Sequence, residues 1–573
     1  MTRHSASTRR ESGRPSAIGR CGRRCKDRES KRGRGKMARF AYAPFPYRTP
    51  PELSGGRTGP APVAIVGAGP VGLAAAIDLA LHGVKVVILD DNDTVSTGSR
   101  AICWSKRSLE IFDRLGIGER MVAKGVTWQV GRLFHRDREI YAFDLLPEQG
   151  HKMPAFINLQ QYYVEHYLVE RCADFPDLID LRWKNKLIGV ARRKDGVVAS
   201  VETPDGTYDL AADWLIACDG ARSRTRELLG LDFAGQVFED RFLIADVEMT
   251  AEFPSERWFW FDPPFHQGQS ALLHKQPDHI YRIDLQLGRD ADPEEEKKPE
   301  LVIPRIQAIV GDREFSLDWV SVYTFQCRRL DRFVHDRVIF AGDAAHVVSP
   351  FGARGGNGGI QDVDNLAWKL AMVIHGNADA ALLASYDEER IRAADENIRH
   401  SARATNFMTP KSDMERIFRN AAIELAADHG FARRMVNSGR LSLPCSLAGL
   451  SLQTDGPDCA GAAPGLVCPD APVTGADGRN SYLLDHLGGS FTLLAIGDIE
   501  APSIPGLDIV RVGKRGFADP EGLVAARLGR DVLYLVRPDQ HIAARFVAST
   551  PEGIAAAFAR AIRMNPKRTE AAA

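Results

Sequence analysis

The sequence predicts an α/β protein built around a parallel β-sheet, with an antiparallel sheet and a smaller C-terminal α/β domain added to it. Three patterns predict this class. A strand, glycine turn, helix and strand lie within residues 62–91, runs of alternating apolar and polar residues lie within 236–334, and strand and helix patterns alternate within 466–573. The chain has 573 residues, 44% hydrophobic and 26% charged, which accommodates three or four domains of ~150 residues.

The first of these units has the layout of a dinucleotide-binding turn. Val63–Val66 is a short apolar strand, Leu73–His82 has helical periodicity, and Val84–Leu89 is a second apolar strand that leads to Asp90. Three glycines with GxGxxG spacing follow the first strand: Gly67, Gly69 and Gly72. The first permits a tight turn, the second lets a pyrophosphate approach the backbone, and the third lets helix and strand pack closely. Asp90 is placed to accept hydrogen bonds from a ribose.

A second segment, residues 337–370, favours FAD over NAD(P) as the dinucleotide. The apolar strand Val338–Ala341 leads into Gly342 and Asp343, where a carboxylate can bind a polyol chain at the strand end. Five glycines follow and leave the backbone bare for a flat ring: Gly352, Gly355, Gly356, Gly358 and Gly359. The positive end of the predicted helix Ile360–Ile374, with Arg354 nearby, suits the negative charge of a reduced flavin.

Three ordered motifs resemble those of the single-component FAD-dependent aromatic hydroxylases, the para-hydroxybenzoate hydroxylase and 3-(3-hydroxyphenyl)propionate hydroxylase type. They are GAGPVG with Asp90, the Asp219-Gly220 pair in DWLIACDGARSRTR, and GDAAHVVSPFGARGGNGGIQD. The resemblance covers residues 60–405 and a C-terminal extension. It implies a discontinuous Rossmann-like FAD-binding domain at 60–235 and 335–405, a substrate-binding antiparallel sheet at 236–334, a helical connection at 406–453 and a thioredoxin-like domain at 466–573. The last domain has no CxxC, which excludes the dithiol chemistry of thioredoxin.

The resemblance also implies which residues bind the cofactor. Arg100 matches an arginine near the flavin, Gln161 a helix residue near the ribityl chain or pyrophosphate, and Asp219 the aspartate of a motif associated with FAD and NAD(P)H. The implied FAD-binding residues are Gly67, Gly69, Gly72, Asp90, Arg100, Gln161, Asp219, Gly342, Asp343, Gly355, Gly356 and Asn357. Many members read GQGMN where this chain has ARGGN from Ala353 to Asn357, so we expect the electrostatics around the ring to differ.

In this family NAD(P)H reduces the flavin, O₂ adds to it, and the resulting C4a-hydroperoxide hydroxylates an electron-rich aromatic ring. We therefore expect a monooxygenase that uses FAD, NADH or NADPH, and a small phenol or aromatic acid. A flavin-dependent halogenase, epoxidase or dehydrogenase on the same scaffold is the alternative enzyme. A protein that holds FAD or binds nucleic acid without catalysis is the third hypothesis, and the retention of every cofactor motif argues against it.

Seven residues are candidates for chemistry or substrate contact. Arg354, His346 and Pro350 lie around the ring-binding loop, and His274 and Tyr323 lie in the predicted sheet as titratable groups. Trp258 and Trp260 are candidates for an aromatic substrate pocket. For the strand residues the alternative is ordinary packing within a sheet, and for His346 it is a structural hydrogen bond.

Composition excludes several other classes. The longest uncharged apolar stretch, Val63–Ile77, is too short to span a membrane. The nine cysteines are scattered without a CxxC, which favours reduced thiols and a cytoplasmic location. Histidine spacing fits no metal site, and GxSxG and GxxxxGK[ST] are absent from the sequence. We expect no metal and no membrane partner, and we allow for a homodimer.

The formal charge of −1 conceals two unequal parts. Residues 1–36 hold 13 basic and three acidic side chains, a net of +10, so the remaining body carries −11. We expect residues 1–59 to be a disordered leader and linker, because their composition cannot bury a core. The basic segment is either a nucleic-acid arm or an over-extended reading frame that precedes a start at Met37, and we favour the second because charge runs are usually solvated tails.

Overall fold

The structure is a computed structural model that describes residues 40–56, 59–98, 100–288, 290–436, 441–457, 459–548 and 550–563. The basic leader lies outside the described residues. The described residues from Tyr42 onward form one compact unit. Part of the expected linker packs on this unit, because the Phe45 ring stacks on Trp183 with 4.7 Å between ring centres and the Tyr47 hydroxyl donates to Asp205 at 3.0 Å.

The secondary structure combines many short strands with two long helices. The strands are β1 (Ala61–Val66), β2 (Val86–Leu89), β3 (Cys103–Ser105), β4 (Val126–Trp128), β5 (Val130–His135), β6 (Arg138–Asp144), β7 (Phe156–Asn158), β8 (Ile179–Arg182), β9 (Lys186–Arg193), β10 (Gly196–Thr203), β11 (Gly206–Ala217), β12 (Ala234–Met249), β13 (Arg257–Phe261), β14 (Ser270–Lys275), β15 (Ile280–Leu287), β16 (Phe315–Arg329), β17 (Val334–His335), β18 (Val338–Phe340), β19 (His346–Val347), β20 (Pro472–Thr474), β21 (Asn480–Tyr482), β22 (Thr492–Ile496), β23 (Asp508–Val512), β24 (Val532–Val536) and β25 (Ile542–Phe546). The helices are α1 (Pro70–Leu81), α2 (Lys106–Arg114), α3 (Gly118–Lys124), α4 (Gln161–Cys172), α5 (Arg224–Leu228), α6 (Pro293–Glu296), α7 (Pro299–Val310), α8 (Gly355–Ile374), α9 (Ala384–Met408), α10 (Asp413–Ala426), α11 (Gly430–Val436), α12 (Leu523–Leu528) and α13 (Pro551–Ala561).

The first sheet carries the dinucleotide turn at its centre. Its strands run in the order β17-β18-β11-β1-β2-β8, and β1 pairs in parallel with both β2 and β11. The apolar residues of β1 and β2 are buried on both faces, as parallel strands require. Helices α1 and α8 pack against each other beside this sheet. The carboxyl ends of β1, β2, β11 and β18 therefore meet along one edge.

The second sheet is almost wholly antiparallel. Its order is β19-β16-β12-β15-β14-β13-β5-β6, with a single parallel pair between β13 and β5. Strands β5 and β6 come from residues 130–144, which the sequence analysis places in the dinucleotide-binding part. One face packs on α7 through Val302, Ile306 and Val310. The opposite face packs on α9, α10 and α11.

The C-terminal domain contains a four-stranded mixed sheet. Its order is β23-β22-β24-β25, with β22 and β23 parallel and the other two pairs antiparallel. Helix α12 lies between β23 and β24, and α13 follows β25. Residues 497–507, which connect β22 to β23 and are all described, form no helix. The topology therefore places every helix of this sheet after its second strand.

The glycine-rich segment differs from its sequence prediction. The helix was expected to begin at Ile360, but α8 begins at Gly355, so Gly355, Gly356, Gly358 and Gly359 lie in its first turns. Close packing requires one of these glycines, Gly359, whereas a Cβ at Gly355, Gly356 or Gly358 would lie at least 3.4 Å from its neighbours. A Cβ at Gly359 would lie 2.7 Å from Val71 Cγ2 and 3.1 Å from Gly342 Cα.

A fully buried ionic cluster joins α8 and α9 to the C-terminal domain. Glu389 accepts hydrogen bonds from Lys369 Nζ at 2.7 Å and from Arg537 Nη1 at 2.6 Å. Arg537 also pairs with Asp539, whose Oδ2 accepts from the Trp368 indole at 3.1 Å. Burial acts to raise the pKa of Glu389, but the two cations outweigh it and lower that pKa far below its usual range. Removing one member of such a buried cluster would leave an uncompensated buried charge, which is strongly destabilising.

No described helix is long and apolar enough to cross a membrane.

We predict that Glu389→Gln lowers the free energy of unfolding by about 3 kcal/mol or more, because it leaves Arg537 and Lys369 buried without their shared carboxylate. Urea unfolding of the full chain measures this loss. Glu388→Gln is the matched control, because Glu388 is one residue away, one-third exposed and bonded to Ser451 and Arg563. We expect it to cost less than about 1 kcal/mol; equal losses in the two variants would contradict the prediction.

Candidate functional site

The turn after β1 is closed by two glycines that leave no room for a side chain. Gly67 has a φ of 101°, and a Cβ there would lie 2.6 Å from the Cys218 carbonyl oxygen. A Cβ at Gly72 would lie 1.9 Å from the Gly67 carbonyl oxygen. At Gly69, the N-cap residue of α1, a Cβ would meet nothing within 4 Å. This open space lies at a helix N-terminus, where phosphate oxygens bind.

Asp90 is fixed beside this turn. Its Oδ2 accepts from the Ala68 N–H at 2.6 Å, and its Oδ1 accepts from the Asn92 N–H at 2.9 Å. Burial raises the pKa of this carboxyl, and the backbone donors oppose the shift. The side chain stays partly exposed, so its remaining lone pairs can accept from ribose hydroxyls.

Asp343 lies at the same edge of the sheet as the turn after β1. It is part of a single 3₁₀ turn, Gly342–Ala344, that follows β18. Its side chain is open to solvent, yet it lies within a cleft of surrounding protein that raises its pKa. Arg100 is close enough to oppose that shift. A Cβ at Gly355 would lie 3.9 Å from Asp343 Oδ1. Asp343, Arg100 and the start of α8 therefore lie at one cleft.

Asn357 joins the start of α8 to β3. Its Nδ2 donates to the carbonyl oxygens of Cys103 at 2.9 Å and Ala353 at 2.6 Å, and its Oδ1 accepts from the Ser105 N–H at 2.9 Å. A Cβ at Gly356 would lie 3.5 Å from Ala101 Cβ. The segment that carries Arg100 is thus held against the N-terminus of α8.

Gln161 and Asp219 have partners within the chain. Gln161 Oε1 accepts from the Ala101 N–H at 3.1 Å, which holds the loop that carries Arg100. Asp219 accepts from the Ser223 hydroxyl at 2.6 Å and from the Thr225 N–H at 2.8 Å. Gln161 thus fixes the segment of Arg100, and Asp219, which follows β11, fixes the start of α5.

His346 lies behind the cleft. Its Nε2 is 2.7 Å from Asp362 Oδ2, and its ring stacks on Phe333. Asp362 also accepts from the Gly342 N–H at 2.9 Å and from Arg390 Nε at 2.7 Å. Burial acts to raise the pKa of Asp362, but His346 and Arg390 lower it overall. This geometry holds the turn that carries Asp343.

An aromatic cavity lies between the second sheet and the loop before α8. It encloses about 660 Å³, part of it open to solvent. The described residues that line it are Arg132, Leu133, Phe143, Arg257, Phe259, Phe261, Phe351, Gly352, Arg354, His400, Ala404, Phe407, Met408, Val436 and Leu441. Arg354 is the N-cap residue of α8, and its Nη1 donates to Asn397 Oδ1 at 2.9 Å. Pro350 is exposed in the loop that leads to α8.

The strand alternation places the predicted tryptophans on the other side of the sheet. Arg257, Phe259 and Phe261 line the cavity. Trp258 and Trp260 pack instead with the α7 cluster, and the Trp258 indole donates to Glu256 at 2.9 Å. Successive strand residues face opposite ways, so a shift of one position exchanges the two faces. The aromatic pocket is present, but these tryptophans do not line it.

His274 and Tyr323 face the same side of the sheet as the cavity but do not line it. His274 pairs in register with Arg257, and its Nδ1 lies 3.9 Å from Cys103 Sγ. Burial, with Arg257 and Arg282 nearby, lowers the pKa of His274 well below its usual value, so the ring is neutral. Tyr323 is half-buried and packs with the aromatic cluster of this face. Arg257, Phe259 and His400 line the cavity but were not predicted from the sequence. The first two could have been predicted only if the face of β13 that is turned toward the cavity had been known.

Within the described ranges, no group of three or more His, Cys, Asp or Glu side chains could hold a metal ion.

Comparisons with known proteins agree with this geometry. The chain is 30% identical over 334 residues, 58% of each chain, to the 3-(3-hydroxy-phenyl)propionate/3-hydroxycinnamic acid hydroxylase of Mycolicibacterium smegmatis. It is 32% identical over 360 residues, 58% of this chain and 71% of its relative, to a flavin-dependent monooxygenase of Mycobacteroides abscessus. The crystal structure of the flavin-dependent monooxygenase PieE with FAD and substrate matches with a TM-score of 0.73 at 22% identity, covering 88% of this chain and all of that one.

The match to the Mycolicibacterium smegmatis enzyme spans just over half of that enzyme's length, and the likeness to PieE concerns the fold. The family described as "FAD binding domain" matches residues 60–401, which is more than half of the chain. The strand ends, the open N-terminus of α1 and the cleft at Asp343 all lie within that range. The protein is therefore a flavoprotein that belongs to the FAD-binding-domain family.

Proposed function

We propose that the protein is a monooxygenase that uses FAD, NADH or NADPH, and O₂ to hydroxylate a small phenol or aromatic acid. The observation that carries this proposal is the aromatic cavity that ends at Gly352 and Arg354, directly before α8. The same segment borders the cleft of Asp343 and Arg100. A ring bound in the cavity would thus lie next to the flavin-binding residues.

The chain's residues fit an extended FAD molecule. The open space at Gly69 and the half-satisfied Asp90 suit the ADP half, and Asp343, Arg100 and the start of α8 suit the ribityl chain and the ring. When bound, FAD carries electrons from NAD(P)H to O₂ and delivers one oxygen atom to the aromatic ring. Gln161, Asp219 and Asn357 support this site indirectly, because they fix the segments that border it.

The protein's own groups would hold charge and exclude water. Arg354 is 3% exposed and stands at the N-terminus of α8, so its guanidinium and the helix dipole can stabilise negative charge on the flavin ring. Five phenylalanines in the cavity wall keep water from the reacting centre. His346 holds Asp362 and the Gly342 turn, so we assign it a positioning role.

We propose a role for the antiparallel sheet and for the C-terminal domain as well. The antiparallel sheet is the substrate-binding sheet, because it supplies Arg257, Phe259 and Phe261 to the cavity. The strand order of the C-terminal sheet, with one parallel and two antiparallel pairs, supports a thioredoxin-like domain that lacks its first helix. The buried cluster around Glu389 gives that domain a packing role. A cytoplasmic location accords with its free cysteines.

We expect aromatic compounds that bind in the cavity to accelerate NAD(P)H oxidation by the purified, FAD-loaded protein severalfold, because substrate binding completes the site. A panel of phenols and aryl acids tests this, with product mass checked for one added oxygen atom. A halide-dependent product would indicate a halogenase instead, and turnover without O₂ would indicate a dehydrogenase. Acceleration that yields only hydrogen peroxide would contradict hydroxylation of that compound.

A pair of glycine substitutions tests the FAD site separately from catalysis. Gly69→Ala adds a methyl group to open space at the N-terminus of α1, so we expect lower FAD occupancy and an apoprotein stability within about 1 kcal/mol of wild type. Gly72→Ala must displace the Gly67 carbonyl, so we expect the apoprotein to lose about 1–3 kcal/mol as well. Flavin absorbance relative to protein and urea unfolding of apoprotein give the two readouts. Full FAD occupancy in Gly69→Ala would contradict the assigned phosphate position.

A further inference from the structure

The ionisable side chains that line the cavity are three arginines and one histidine. Arg132, Arg257, Arg354 and His400 line it, and none of the described residues in its wall is an aspartate or glutamate. Residues 37–573 carry a net charge of −11, so the cationic lining of the cavity has the opposite sign to the net charge of this part of the chain. Local positive potential in an apolar cavity favours an anionic ligand.

The three arginines differ in how their charge is satisfied. Arg132 pairs with Glu256 at 2.5 Å and with Glu139 at 2.9 Å. Arg354 donates to Asn397. In Arg257, by contrast, Nη1 is buried and has no hydrogen-bond partner among the described residues. A buried guanidinium nitrogen without an acceptor is costly, unless a ligand supplies one.

The groups behind Arg257 offer its Nη1 no hydrogen-bond acceptor among the described residues. His274, opposite it on β14, is neutral, and Arg282 is already paired with both oxygens of Asp246 at 2.8 Å. Asp284 acts on Arg257 electrostatically, and burial raises the pKa of Asp284 to about 6, but it forms no ion pair with Arg257 in the part of the chain that the structure describes. Cys103 also lies near, and burial raises its thiol pKa. Arg257 Nη1 is therefore left to a ligand in the cavity.

We propose that Arg257 binds the carboxylate of an aromatic substrate, with the substrate ring among the phenylalanines of the cavity. Arg257 is thus a specificity-determining residue, and the substrate class is an aryl carboxylic acid rather than a neutral phenol. The guanidinium fork matches a carboxylate in charge and geometry. This inference rests on the proposed function of the same cavity.

The test compares acids with their uncharged methyl esters on the FAD-loaded full chain. The probes are 3-hydroxybenzoate, 3-(3-hydroxyphenyl)propanoate and their esters, and dissociation constants come from the change in flavin absorbance. In wild type we expect the acids to bind more tightly than the esters. In Arg257→Gln we expect acid binding to weaken roughly 10- to 100-fold while ester binding changes less than about threefold. Arg257→Lys should restore part of the acid preference.

Arg136→Gln is the control, because Arg136 is an exposed arginine in the turn between β5 and β6 of the same sheet and lies outside the cavity. If esters bind and are hydroxylated as well as acids in wild type, the proposed function stands and the anion site is overturned. Equal loss of acid and ester binding in Arg257→Gln also overturns it. If neither acids nor esters bind or react, the proposed function fails together with the inference.

A second inference rests on a different observation, an apolar stripe on the outer face of α10. Met414, Ile417, Phe418 and Leu425 are 74%, 62%, 57% and 45% exposed. Their spacing places them on one helix face, opposite the buried Ile423. Phe431, at the start of α11, adds a further 52% exposed side chain. A contiguous row of exposed apolar side chains on one helix marks an interaction surface.

We infer that this stripe is the contact between two copies of the chain. The exposed acids Asp413 and Glu415 stand at the start of α10, and the exposed bases Arg433 and Arg434 follow its end. Two α10 helices that pack antiparallel about a twofold axis bring each acidic start to the partner's basic end and stripe to stripe. Because Val436 of α11 lines the cavity, this contact would also brace its wall.

Light scattering of the full chain at micromolar concentration tests this contact. We expect twice the chain mass of 63.1 kDa for wild type and the single chain mass for the double variant Ile417→Glu, Phe418→Glu, with unchanged FAD content. Arg416→Glu, on the same helix but off the stripe, should stay dimeric. A monomeric wild type, or a double variant that stays dimeric, overturns the inference.

Discussion

The burial of helix α8 is the constraint on which the rest of the structure depends. Its residues are almost all inaccessible, yet it carries Asp362, Asp364, Asn365 and Lys369, each of which needs a partner. Those partners come from different parts of the chain: Asp362 meets His346 and Arg390, Asp364 meets the arginines of α2, and Lys369 meets Glu389. Because unpaired buried charges are far costlier than exposed ones, the parts that supply these partners must assemble around α8 together.

This arrangement links the cleft of Asp343 to the C-terminal domain. The first turn of α8 borders the cleft of Asp343, and its middle is held by the cluster of Glu389, Arg537 and Asp539. Gly359, in the first turns of α8, allows α1 and the Gly342 turn to approach closely, which a side chain there would prevent. The position of the helix N-terminus, and hence of its dipole, is therefore set by packing from both ends.

The sequence predicts the parts of the fold that depend on local patterns. The strand, glycine turn and second strand around Gly67 and Gly72 were predictable, because their spacing lies within one short unit of the sequence. The cavity was not, because alternation along β13 defines two faces without telling which one meets α9 and α10. Trp258 was chosen by residue type, whereas Arg257 lines the cavity by register. Ionic partners such as Arg537 and Glu389 are 148 residues apart, and no local pattern joins them.

Two negative charges within one site need two separate cations. In the proposed site a reduced flavin would be anionic near the start of α8, and an aryl carboxylate in the cavity would add a second anion in a medium of low dielectric constant, where repulsion is strong. Arg354 stands at the N-terminus of α8 and Arg257 on β13, so each charge would have its own counter-ion. Arg132, which Glu256 and Glu139 already neutralise, adds little to either. Two cations on different elements would thus let the site hold both charges, with the substrate ring among the phenylalanines of the cavity wall.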